Sequence, residues 1–178
     1  MNRMEPIEIF KNKVEAYNTV MDAVLEVRQV LFDTLKNFQG KKIRKKGGDF
    51  TKPVSQALQP KLDEIKEKYN LDYLYMKLDY YSTWEISVIM DKAYKTSEFS
   101  VDRIHFVPHF KVVLDRDWNF QGFEDFPPVK KFSKIRFDDM MKKRKEYIEE
   151  ERRHKEAVRS ILIDVPFELE NDVKSIYW

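Results

Sequence analysis

The chain has 178 residues and a nearly balanced charge, with 33 basic and 31 acidic side chains and a net charge of +2. This length suits a single domain with a sizeable core, and apolar residues supply 42% of the composition. The balance excludes a histone-like polycation and an acidic nucleic-acid mimic, so any electrostatic function has to be local. Cysteine is absent, which excludes disulfides, thiolate metal sites and cysteine nucleophiles. The lack of cysteine fits a reducing compartment, so we expect a cytoplasmic protein, and we expect no membrane span because no window approaches about 18 uncharged apolar residues.

The first element predicted is one long helix. From Ile7 to Phe38 the apolar residues recur at alternating intervals of three and four, and only Arg28 interrupts them. Further small apolar residues widen the stripe, which favours packing against other elements of the same chain. The same seam also suits a homodimer, and the sequence leaves this alternative open. Gly40 is well placed to end the helix.

A shorter helix is predicted after Pro53, ending at Asn70, so residues 1–70 are expected to form a helical hairpin with a basic loop. From Leu71 the apolar period changes to two, which indicates strands, and residues 71–128 are expected to form an antiparallel sheet region. Two hairpins would supply about four strands, with a bend or an edge position at Pro108. The aromatic segment from Trp118 to Pro128 is predicted to be an ordered loop.

The remaining segment, 129–178, is predicted to hold a second long helix from about Asp138 to Leu162 and an aromatic C-terminal tail. Tyr177 and Trp178 would be costly in water, so they either fold back on the core or anchor a partner. The predicted fold is therefore α+β, with two long helices and a shorter one packed with a roughly four-stranded antiparallel sheet in a single domain, 1–178.

The basic loop between the first two helices is the most distinctive feature of the sequence. The segment Phe38–Phe50 holds three of the four glycines together with the cations Lys41, Lys42, Arg44, Lys45 and Lys46. It lacks the spacing of a phosphate-binding P-loop, and no strand precedes it. Three interpretations remain: a solvated mobile turn, a contact for a polyanion such as nucleic acid, or a contact for an acidic protein surface.

A second basic region is interleaved with Phe132, Ile135 and Phe137. Alternating rings and cations suit phosphate contact with base stacking, although buried rings surrounded by extended lysines give the same pattern. If both regions shared one face they would form a basic groove. The cations of this second region are Lys130, Lys131, Lys134, Arg136, Lys142, Lys143, Arg144 and Lys145.

No catalytic signature is present in the sequence. The nucleophile elbow and the dinucleotide-binding glycine pattern are both missing, and His105 and His109 lie on predicted strands rather than at the helical spacing of a metal pair. Asp102, Asp115 and Asp117 could hold Mg²⁺ for phosphoryl transfer, but a turn at a strand end explains the last two as well. We therefore predict neither a metal nor a cofactor.

These features favour a small non-enzymatic binding or accessory protein that acts through protein contacts, with a basic surface for nucleic acid or a nucleoprotein complex. The cysteine-free, lysine- and tyrosine-rich composition is similar in style to proteins of phages and mobile elements. A virion component and an inhibitor of a host nucleoprotein complex are the alternative roles. A metal-dependent phosphoryl-transfer enzyme is a further alternative, which would use the aspartates above.

Overall fold

The computed structural model describes residues 4–125, 165–166 and 168–172. The chain divides into two units. One unit comprises Met1–Asn18, Tyr94–Val101 and Lys130–Trp178, and the other comprises Thr19–Ala93 and Asp102–Val129. The second unit carries the basic loop and is almost wholly described.

The long first helix is confirmed. Helix α1 spans Pro6–Leu35 and continues into a short 3-10 turn at Lys36–Phe38. Its apolar seam is buried within the single chain, and residues from Val20 to Leu35 on that seam are at most 1% exposed. The seam is therefore core, and no dimer is needed to cover it.

Helix α2 spans Lys52–Lys68, with Pro53 in its first turn, where a proline costs no hydrogen bond. It ends before Asn70, whose φ of +46° stops the helical path. Glu26 of α1 ties the helices together by accepting hydrogen bonds from Lys68 and from the Tyr69 hydroxyl. The hydrogen bond from Lys68, followed by that from Tyr69, lowers the pKa of Glu26.

The sheet confirms the α+β class but has five strands instead of about four. The strands pair antiparallel in the order β1-β2-β4-β5, and β3 also pairs with β2. The central strands carry buried side chains, and Phe110 and Ile86 are buried completely. The five strands are β1 (Tyr73–Tyr80), β2 (Trp84–Lys95), β3 (Val101–Phe106), β4 (His109–Leu114) and β5 (Phe120–Asp125).

Two parts of the sheet differ from the prediction. Strands β3 and β4 do not form a second hairpin with each other, because both pair with the long strand β2. Pro108 separates them, as the predicted bend requires, and its carbonyl still accepts the Val88 amide at 3.0 Å. The second difference is β5, which occupies most of the segment predicted to be a loop; Phe120 is its buried anchor.

The other unit contains the first turns of α1 and the short helical segment at 168–172. Lys13 forms an ion pair with Asp172 at 2.6 Å, and Leu169 is fully buried. Burial, reinforced by the negative charge of Glu168, raises the pKa of Tyr17 to about 12.

Several predictions fall on residues outside the described ranges. They include the helix at 138–162, the second basic region and the tail residues Tyr177 and Trp178. Within the described ranges, no helix combines the length and apolar character needed to cross a bilayer.

Candidate functional site

The backbone of the basic loop is paired to the sheet and is not the free turn that its glycines and lysines suggest. The Gly40 amide donates to the Phe120 carbonyl at 2.8 Å, and the Phe120 amide donates to the Lys41 carbonyl at 2.9 Å. The Ile43 amide donates to the Trp118 carbonyl at 3.1 Å, and the Ile43 side chain is fully buried. Burial of this one apolar residue, together with the hydrogen bonds around it, holds the first half of the loop against the start of β5.

The second half of the loop folds into a small hairpin beside β1. The Lys45 amide donates to the Asp49 carbonyl at 2.9 Å, and the Leu78 amide of β1 donates to the Gly48 carbonyl at 3.0 Å. Gly48 has a φ of +85°, and a Cβ atom added there would lie 2.7 Å from Oδ1 of Asp79. A side chain at this position would have to displace the Asp79 carboxylate, and the positive φ adds a second reason for glycine here.

We expect Gly48→Ala to lower the free energy of unfolding by about 1–2 kcal/mol, because it adds a positive-φ penalty to a clash with Asp79. Gly47 is the matched control, since its φ is +98° but no atom lies within 4 Å of an added Cβ. Gly47→Ala should therefore show the backbone penalty alone. Urea denaturation of both variants measures the difference, and equal losses would show that the approach to β1 contributes nothing.

Arg44 packs against Trp84 and Trp118 of the same unit, and we call these three side chains the Arg44 corner. Its guanidinium carbon lies 4.5 Å from the ring centre of Trp118 and 5.0 Å from that of Trp84. The two indoles are inclined by 72° with their centres 6.5 Å apart, and the Arg44 Nε–H donates to the Leu78 carbonyl at 3.1 Å. Two cation–π contacts and a hydrogen bond thus fix this half-buried arginine.

A strained turn supports the Trp118 side of that corner. Trp118 has a φ of +63°, a conformation that costs a non-glycine residue about 1–2 kcal/mol. The Asp115 carboxylate stabilises the turn by accepting the backbone amides of Asp117 and Asn119, both at 2.9 Å. The hydrogen bonds from the Asn119 backbone and side chain, and then from the Asp117 backbone, hold the pKa of Asp115 below its usual value.

The four lysines of the loop differ from Arg44 because their side chains are exposed. Within the described part of the chain, none of Lys41, Lys42, Lys45 and Lys46 forms an ion pair. Lys42 also lies over the Trp118 ring, with Nζ 5.3 Å from its centre. The loop itself contains a single carboxylate, that of Asp49. Four cations are therefore presented on a hydrogen-bonded backbone with little neutralisation from the loop.

The last residue of β1 and the first residue of the following turn place two exposed aromatic side chains at the same end of β1 as the loop hairpin. Tyr80 and Tyr81 are each 60% exposed. The Tyr80 ring meets Trp84 edge to face, with centres 5.2 Å apart. Neither the tyrosines nor the two tryptophans stand out as site residues in the sequence, because strand periodicity accounts for Tyr80 and Trp84, and Trp118 begins a segment with the composition of a loop.

We call this set of side chains the basic–aromatic surface. It consists of four loop lysines, the two tyrosines at the end of β1 and Arg44 with its two tryptophans: Lys41, Lys42, Lys45, Lys46, Tyr80, Tyr81, Arg44, Trp84 and Trp118. The second basic region predicted from the sequence, residues 130–145, lies outside the described residues.

Two of the three aspartates considered for a metal lie in the turn that carries Trp118, and Asp102 lies in β3. Asp115 and Asp117 belong to the β4–β5 turn, where the Asp115 oxygens also accept the side-chain amides of Asn119 and Gln121 at 2.9 and 3.3 Å. His105 pairs with Asp91 and His109 with Glu85. In the ranges that the structure describes, no three histidine or acidic side chains group together as metal ligands.

Comparison of the chain with protein-family models, with curated proteins and with solved structures finds no match.

Proposed function

We propose that this protein is a non-enzymatic accessory protein that binds single-stranded nucleic acid, free or within a nucleoprotein complex, through the basic–aromatic surface. The observation that carries the proposal is the presentation, beside exposed aromatic rings, of four exposed lysines that form no ion pair with any described residue. Cations that follow a phosphate backbone and rings on which bases stack are the two components of sequence-tolerant single-strand binding.

The electrostatic component comes from the paired backbone of the loop. Because hydrogen bonds to β1 and to the start of β5 fix the loop, binding loses less conformational entropy than it would in a mobile turn. The Asp115 carboxylate already accepts hydrogen bonds from residues of its own turn. It therefore competes weakly with phosphate for the lysines. Lys41 and Lys42 lie on the β5 side and Lys45 and Lys46 on the hairpin side, which gives the cationic surface two adjacent parts.

The stacking component distinguishes single strands from duplexes. Bases of a single strand are free to stack on Tyr80 and Tyr81, whereas duplex bases are already stacked on each other. Trp84 and Trp118 are half-buried and contact Arg44, so their role is to stabilise the basic–aromatic surface and not to stack on bases. We therefore expect a single strand to bind more tightly than a duplex of the same length.

The test replaces Lys41, Lys42, Lys45 and Lys46 with glutamine and measures binding of a fluorescent 20-nucleotide single strand over a range of salt concentrations. Each phosphate contact in a single strand contributes about 0.7 to the slope of log affinity against log salt. We expect the slope to fall by about 3 in the quadruple variant. The matched control replaces four exposed lysines elsewhere, Lys11, Lys52, Lys66 and Lys95, which changes the net charge equally.

A specific surface predicts that the control variant keeps the wild-type slope. Equal losses in the two quadruple variants would reveal only a net-charge effect, and no binding by the wild-type protein at low salt would refute the proposal. A double Tyr80→Ala and Tyr81→Ala variant separates the components, since it should weaken binding by about 1–3 kcal/mol per stacked base without altering the slope.

A further inference from the structure

Among the described residues, hydrogen bonds cover the outer edge of β1 along only part of its length. Strand β1 is at one end of the sheet order and has β2 as its only strand neighbour in the described part of the chain. At Leu78 the edge is covered, because the Leu78 amide donates to Gly48 and the Leu78 carbonyl accepts from Arg44. The loop hairpin thus occupies the end of the strand nearest the β1–β2 turn.

The register shows which backbone groups point outward along the rest of β1. Met76 is opposite Val88, and the Val88 amide is directed away from β1 towards Pro108, at 3.0 Å. Because antiparallel pairs alternate between bonded and non-bonded positions, Leu74, Met76 and Leu78 all direct their N–H and C=O groups away from β2. Leu78 is satisfied by the loop. The outward groups of Leu74 and Met76 have no partner among the described residues.

A groove runs beside these open positions, between β1 and α2. It has a volume of about 210 Å³, and its apolar walls come from Phe50, Leu58, Leu62 and Met76. The exposed residues Ser55 and Gln59 of α2 and the cation Lys45 lie along it. This volume is below the roughly 300–1,000 Å³ of small-molecule sites and suits one or two side chains.

We propose that this edge binds an extended peptide of a partner protein, which adds a short strand beside Leu74 and Met76 and inserts an apolar side chain into the groove. Unpaired strand amides and carbonyls are complementary to extended backbone, and alternate side chains of such a strand point to the same side. The Gly48 contact at Leu78 limits the pairing to a few residues. Lys45 and Asp49 both line the loop end of the groove, so an acidic residue at that end of the peptide is favoured only where it reaches Lys45 and avoids the Asp49 carboxylate.

The experiment uses the full chain and an arrayed set of acetylated seven-residue peptides. Each peptide alternates threonine with leucine, isoleucine, valine or phenylalanine. Each also carries a single glutamate, placed at the N-terminal end in one half of the set and at the C-terminal end in the other half. Fluorescence anisotropy identifies the peptides that bind, and amide exchange by NMR reports the site. We expect slower exchange at Leu74 and Met76 on binding, and about five- to ten-fold weaker binding when a pairing amide of the peptide is N-methylated.

Two substitutions on α2 form the matched pair. Ser55→Phe places a ring in the groove and should weaken peptide binding at least about ten-fold, whereas Gln56→Phe adds the same ring at an exposed position that does not line the groove. Circular dichroism confirms that both variants are folded. The proposal is wrong if no peptide binds the wild-type chain, or if N-methylation and Ser55→Phe leave binding unchanged. Sedimentation shows whether the wild-type chain self-associates. If it does, and if Ser55→Phe abolishes the association, the occupant of this edge is a second copy of the chain and not a peptide of another protein.

Discussion

Phe120→Ala is expected to lower the free energy of unfolding by about 3–5 kcal/mol, the usual cost of removing a fully buried phenylalanine ring. Phe120 is 2% exposed and packs edge to face against Phe123, with ring centres 5.3 Å apart. Its backbone also links β5 to the loop through hydrogen bonds with Gly40 and Lys41. A cavity at this position should therefore loosen the loop as well as the sheet.

Two measurements test the effect of Phe120→Ala. Urea denaturation gives the stability change, and amide exchange at Gly40 and Ile43 reports the loop. Phe99→Ala is the control, because it removes the same ring from a site that is 84% exposed, and it should change stability by less than about 0.5 kcal/mol. A Phe120→Ala variant as stable as the control, with unchanged exchange at Gly40, would mean that the loop is held independently of this ring.

The sheet illustrates what periodicity predicts and what it does not. Alternation in Leu74–Tyr80 and Trp84–Met90 predicted β1 and β2, since one face of each strand is buried. Strand β5 was missed because aromatic residues, Gly122 and two following prolines gave its segment the composition of a loop. Its exposed and half-buried positions beyond Phe120 provide little alternation, so only pairing with β4 establishes the strand.

The basic loop shows the same limitation at the candidate site. Local composition indicated a mobile turn, because glycine and lysine dominate it. The fold overrides this tendency through one buried side chain, Ile43, and through hydrogen bonds to residues far away in the sequence, around Trp118 and Phe120. An isolated isoleucine among cations was the available signal. Its partners could not be inferred, since they lie more than 70 residues later in the chain.

Arg44 was grouped with the loop lysines on charge alone, but its geometry implies a structural role that can be tested. We expect Arg44→Ala to lower the free energy of unfolding by about 2–3 kcal/mol, from the loss of two cation–π contacts and a hydrogen bond donated by a charged group. Arg103→Ala is the control, because it removes an exposed arginine from β3 and should change stability by less than about 0.5 kcal/mol.

Arg44→Lys separates the geometry of Arg44 from its charge. Lysine keeps the positive charge but cannot place a planar group between two inclined indoles while donating from Nε to Leu78. We therefore expect Arg44→Lys to lose about half the stability lost by Arg44→Ala and to change the near-ultraviolet circular dichroism of the tryptophans, while the salt slope of nucleic-acid binding stays at the wild-type value. If Arg44 instead contacts phosphate directly, Arg44→Lys should preserve stability and spectrum, and Arg44→Ala should reduce the slope by about 0.7. The two substitutions thus decide whether this arginine supports the basic–aromatic surface or belongs to its contact face.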